Sequence, residues 1–134
     1  MTTPTTPDII LFSWGTKSKS PHPPICDIRV DVSTWRNPET TRALSALSPR
    51  DEAIQAFVKE DVRVLTLIDS LHLWLEDRWT AQNNEREHEP TMILITDHHG
   101  RLHAPAVVEA IAAAFVDAYA DTLTLVTTHL SRKE

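Results

Sequence analysis

The sequence predicts an α/β fold, a single domain built on a four-stranded, mostly parallel sheet with helices packed on it. Three observations point there. Four β-rich runs, DIILFSW (8–14), DIRVDV (27–32), TMILIT (91–96) and TLTLVT (122–127), are set apart by long stretches, and two of these carry the spacing of amphipathic helices. TMILIT has no polar alternation, as in a strand covered on both faces. At 134 residues and 41% hydrophobic, the chain can build one core and is too short for two domains of ordinary size. Strand, helix, strand units cross over right-handed, which favours parallel neighbours and leaves the strand order open.

Residues 1–7, MTTPTTP, have no apolar periodicity and are expected to be a disordered lead-in to a folded domain over 8–134. DIILFSW ends at Gly15 and opens a polar loop with three prolines, TKSKSPHPPI. In DIRVDV, Ile28, Val30 and Val32 share one face of a half-buried strand. Ser48, Pro49 and Asp51 predict a helix start, with Ser48 as its cap. From Asp61, a stripe of Val64, Ile68, Leu71 and Leu75 predicts a long helix, with Asp69, His72 and Glu76 facing away. QNNEREHEP reads as a loop before the third strand. Pro105 is expected to open the last helix, with Val108, Ile111, Phe115 and Tyr119 on its buried side, before the fourth strand.

Composition narrows function. Cys26 is the one cysteine and the start has no signal-peptide pattern, so a cytoplasmic protein is expected. No run of eighteen apolar residues occurs, so no membrane contact is expected. A net charge of −6 means that nucleic acid could be met only by a local basic patch, of which Lys17 and Lys19, with His22 beyond, are the candidate. No Gly-x-Ser-x-Gly elbow occurs, and Cys26 reads as a packed residue rather than a nucleophile. Trp14 and Trp35 fall at strand ends, where they could line a pocket; Trp74 and Trp79 read as packing on the long helix. No cofactor is expected.

The chain's two glycines, Gly15 and Gly100, both follow strands, where glycine permits positive φ or close approach of a ligand. The loop Asp97, His98, His99, Gly100, Arg101, Leu102, His103 runs into the Pro105 helix, whose first N–H groups suit an anion. Arg101 and the histidines would add donors, with His129 on the same rim. The plainer alternative is a tight turn with solvated histidines. A metallic reading takes Asp97, His98, His99 and His103 as ligands. LITDHHG resembles the motif of the DHH phosphoesterases, although their first-strand Asp-x-Asp is missing and Asp31 or Asp69 would have to stand in.

A broader resemblance runs from Leu11 to His129. Ser13, Trp14, Gly15 and Lys17 stand against a Ser-Phe-Gly-Phe-Lys motif. Asp31, Val32, Asn37 and Pro38 stand against Asp-Val-Arg and Asn-Pro, and Leu47, Ser48, Arg50 and Asp51 against Leu-Thr-Gly-Arg-Asp. ILITDHHGRLHAPAVVEAIA aligns without a gap with a strand, a Gly-Cys-Thr-Gly-Gly-x-His-Arg-Ser-Val loop and a helix, so that Gly100 and Glu109 coincide. These motifs resemble the RapZ C-terminal domain family of RNase adapter proteins, here without the N-terminal nucleotide-binding domain of the full-length form. The resemblance implies recognition of a phosphorylated amino sugar, glucosamine 6-phosphate in the known case, with RNA and protein partners. The departures are Asp97 and His103 for the phosphate loop's Cys and Arg, Leu102 for its His, Ser33 for the Arg of Asp-Val-Arg, and Leu130 and Ser131 for the Arg-Asp after His129.

The expectation is a non-enzymatic binding or adapter module for a phosphorylated small molecule, with RNA, a protein partner or a second copy as further partners. Its site would join Gly15, Lys17, Asp31, Asp97, His98, His99, Gly100, Arg101, His103 and His129, His103 partly replacing the lost Arg at mildly acidic pH. The alternatives are a metal-dependent phosphoesterase using Asp97, His98 and His99, and a scaffold without a ligand.

Overall fold

The computed structural model describes residues 8–82, 90–119 and 124–131, with the backbone alone at 79–82, so the expected packing of Trp79 lies outside the described side chains. The order is β1 (Ile9–Gly15), β2 (Ile28–Asp31), a 3-10 turn (Pro38–Thr40), α1 (Glu52–Lys59), α2 (Val62–Gln82), β3 (Thr91–Asp97), α3 (His103–Tyr119) and β4 (Leu125–His129). The strands form one sheet in the order β2-β3-β1-β4, and every pairing is parallel. The lead-in 1–7, most of QNNEREHEP and the start of TLTLVT lie outside the described residues.

Strand order explains the sequence pattern. The central strands β1 and β3 are buried on both faces, so neither alternates. Ile9, Leu11, Ile93 and Ile95 meet the helices, whereas Phe12, Trp14 and Leu94 form a separate cluster on the opposite face. That opposite face is covered by the proline-rich connection, since Trp14, His22, Pro23, Pro24 and Leu94 line one cavity. The arrangement suits the handedness rule: the step from β1 to β2 and the steps from β2 to β3 and β3 to β4 run in opposite directions across the sheet, so right-handed crossovers need opposite faces.

Helix α3 lies against β1, β3 and β4 and also touches α1 and α2. It is therefore apolar nearly all round, with Ala104, Ala106, Ala110 and Ala112 buried alongside Val107, Val108, Ile111 and Phe115. Small residues on the packed sides allow close approach of the layers. The α2 stripe is as expected: Val64, Leu71 and Leu75 are buried and Ile68 is packed against the core. Each such aliphatic side chain, fully buried, is worth about 1.5–3 kcal/mol.

The structure corrects several boundaries. Helix α1 starts at Glu52 with Asp51 at the cap position. Ser48 closes only the preceding turn: its hydroxyl accepts from Arg50 N (3.2 Å), and its own N–H donates to Asp51 Oδ2 (2.7 Å). Helix α3 starts two residues before Pro105, at His103; a proline's missing N–H costs nothing in a first turn. Described β4 reaches His129, beyond the expected end, because its pairing with β1 continues to Ser13↔His129. His72 turns inward, its ring stacked on Tyr119 (centroids 5.0 Å, 17° between planes). Among the described residues, no helix is long and apolar enough to cross a membrane.

Candidate functional site

The connections leaving the adjacent carboxyl ends of β1 and β3 go opposite ways, β1 toward β2 and β3 toward β4. This is a topological switch point, where open α/β sheets hold ligands. Both glycines stand there, facing one another. A side chain on Gly15 would run into the backbone of His99, and a Cβ on Gly100 would lie 2.5 Å from Gly15 N and 2.6 Å from Ser131 Cβ. Gly100 also has φ +67°, a conformation that glycine adopts freely. Each glycine thus makes room for the other loop rather than for a ligand.

The contact locks the two loops side by side. Thr16 N donates to Asp97 O (2.8 Å) and Lys17 N to His98 O (2.7 Å). Exposed Lys17 is thereby held next to exposed His98 and His99. A knot of hydroxyls continues the contact to the end of β4. Ser131 Oγ accepts from Gly15 N (2.9 Å) and lies 2.9 Å from Ser18 Oγ and 2.7 Å from Ser20 Oγ.

Behind the crevice runs a polar line through otherwise apolar packing. Ser13 Oγ lies 2.7 Å from His129 Nδ1, His129 Nε2 2.6 Å from Glu109 Oε2, and Arg50 Nε donates to Glu109 Oε1 (3.0 Å). It ties β1, β4, α3 and the turn before α1 together. Burial pushes the Glu109 carboxyl up, but hydrogen bonds from His129 and Arg50 outweigh this and hold it below the usual range. Ser13 resembles the nucleophile of a hydrolytic triad in its partners, yet it is fully buried, so a substrate has no path to it.

Asp97 is buried, and both carboxylate oxygens are engaged, Oδ1 by Gly100 N and Oδ2 by Ala104 N (2.9 Å). The anion expected at the start of α3 is thus the chain's own side chain. The same bonds turn Asp97 into its own loop, and the described residues include no group of three or more His, Cys, Asp and Glu placed to hold a metal.

Two other expected residues do not join the crevice. Arg101 reaches the other way, donating to Ser45 O (3.3 Å) and approaching Glu39 (3.8 Å). His103 is fully buried, and neither ring nitrogen has a hydrogen-bond partner among the described residues. The expectation that it takes up charge at mildly acidic pH is reversed, because burial lowers its pKa and outweighs the attraction of Asp97 and Asp61. Below about pH 6.5 the unfolded chain gains a proton that the folded chain resists, so stability should be complete above that pH and decline as pH falls. A His103→Phe variant should flatten this slope, by at most about 1.4 kcal/mol per pH unit; urea melts at several pH values measure it.

Asp31, at the end of β2, accepts from Ser33 N and Ser33 Oγ, both at 3.0 Å. Partial burial raises its pKa, but these bonds and nearby His98 leave it lowered overall. A cavity of about 50 Å³ separates this strand end from the β3 loop, lined by Ser33, Asn37, Glu39, Asp97, His98 and His99. It suits one or two water-sized groups, far below the roughly 300 Å³ of a small-ligand pocket. Cys26 has a raised pKa, from burial and then from Asp27, and its thiol donates to Pro24 O (3.3 Å), so it is not an activated nucleophile.

Sequence reasoning missed the serine knot, for which it holds no signal. It also missed the roles of Ser13, Arg50 and Glu109, although all three stand in matched motifs. A family model described as the RapZ C-terminal domain matches residues 7–131. No curated protein matches the chain.

Proposed function

Because the chain belongs to the RapZ C-terminal domain family, a family of adapter and binding modules, we propose that it recognises a phosphorylated small molecule of the amino-sugar phosphate type without transforming it. The observation that carries this reading is the bond from Lys17 N to His98 O at 2.7 Å. It gathers an exposed ammonium and two exposed imidazoles from different loops at the switch point of the sheet. Lys17 would meet the phosphate as a point charge, and His98 and His99 would donate beside it. Asp31, at the next strand end, would accept from the amine or a hydroxyl of the sugar. Since Asp97 takes up N–H groups at the start of α3, the phosphate would be held mainly by side chains rather than by that helix.

Calorimetric titration with glucosamine 6-phosphate tests the proposal. Saturable binding is expected, and Lys17→Ala should weaken it by roughly tenfold or more, the share of one charge-assisted contact. Absence of binding across a panel of sugar phosphates would leave a protein-interaction scaffold as the better reading. A structured RNA would meet Lys17 and Lys19 on an acidic molecule of net charge −6, so its affinity should fall steeply with salt.

A further inference from the structure

The opposite face of the sheet carries a second cavity, of about 420 Å³, which lies within the range of small-ligand sites. We infer that it binds a small aromatic carboxylate, independently of the sugar-phosphate reading.

The walls select an aromatic body. Trp14, Pro23, Pro24 and Leu94 line the cavity with His22 and Arg29, and the Trp14 and His22 rings stand 5.1 Å apart at 47°. Ile25, also lining it, is 97% exposed, an apolar side chain that a bound ring would cover. A sugar phosphate could lay only a small C–H face on such walls, whereas a flat aromatic ring would cover them with its whole face.

Charge selects the anion. Arg29 is exposed, lies 5.8 Å from the centroid of the Trp14 ring, and has no carboxylate partner among the described residues. In a chain of net charge −6, an unpaired guanidinium over an aromatic wall is suited to a bidentate carboxylate. Trp14, only 6% exposed and packed with Phe12 and Leu94, is held in place by its own cluster, so the guanidinium stands beside a fixed ring.

Calorimetric titration of the whole chain with indole-3-acetate, against indole and acetate as controls, decides the matter. One saturable site is expected for indole-3-acetate, with indole and acetate each at least about tenfold weaker. Arg29→Gln and Ile25→Asp, both at exposed positions that leave the core intact, should each weaken binding, Arg29→Gln by about tenfold or more. Saturating glucosamine 6-phosphate should not displace it. The inference is overturned if no saturable binding occurs, if indole binds as tightly as indole-3-acetate, if Arg29→Gln has no effect, or if the sugar phosphate competes.

Discussion

Replacing Gly100 by alanine is expected to destabilise the protein by about 3 kcal/mol and to lower its melting temperature by about 10 °C. Two costs add. The residue sits at φ +67°, which an L side chain adopts only under strain. Its new methyl would also lie 2.5 Å from Gly15 N and 2.6 Å from Ser131 Cβ, and backbone cannot swing aside as a side-chain end can. Relief would require the β1 and β3 loops to part, breaking the bond from Lys17 N to His98 O. The variant should therefore lose ligand affinity together with stability. Thermal melts measure the first effect; a shift of less than about 3 °C would show that the loops are not in close contact.

Replacing Asp97 by alanine should cost a similar amount, about 3 kcal/mol, for a different reason. The carboxylate is the acceptor for Gly100 N and Ala104 N, so removing it strands two buried donors at the start of α3. Asp97→Asn keeps one acceptor oxygen and should lose roughly half as much. The same pair of variants separates a structural Asp97 from a metal ligand. A structural residue predicts melting temperatures insensitive to manganese and zinc in the parent chain, and a ligand predicts that the metals stabilise the parent and not Asp97→Ala.

The fold was readable because its determinants are local and periodic. TMILIT announces a strand covered on both faces by lacking alternation, and Val64, Ile68, Leu71 and Leu75 announce a helix with one buried side. Boundaries were less readable where a side chain could serve two purposes. Ser48 and Asp51 bond each other across a turn, so the helix begins later than its capping pattern suggests. Of the candidate site, Gly15, Lys17, Asp31, His98, His99 and Gly100 do stand at neighbouring strand ends. Arg101 and His103 do not share their surroundings, because a loop of this length can turn one side chain toward Glu39 and bury another.

By itself, the sequence determined the fold class, the parallel sheet and the family, since hydrophobic spacing and short ordered motifs survive without knowledge of long-range contacts. Only the tertiary structure decided that Asp97 is consumed by its own loop, that His103 is buried with no hydrogen-bond partner among the described residues, and that Ser13, Arg50, Glu109 and His129 form one line. The physical reason is separation. Ser13 and His129 lie 116 residues apart and meet because β1 pairs with β4, a choice made by packing the whole sheet against α3 and recorded in no local pattern.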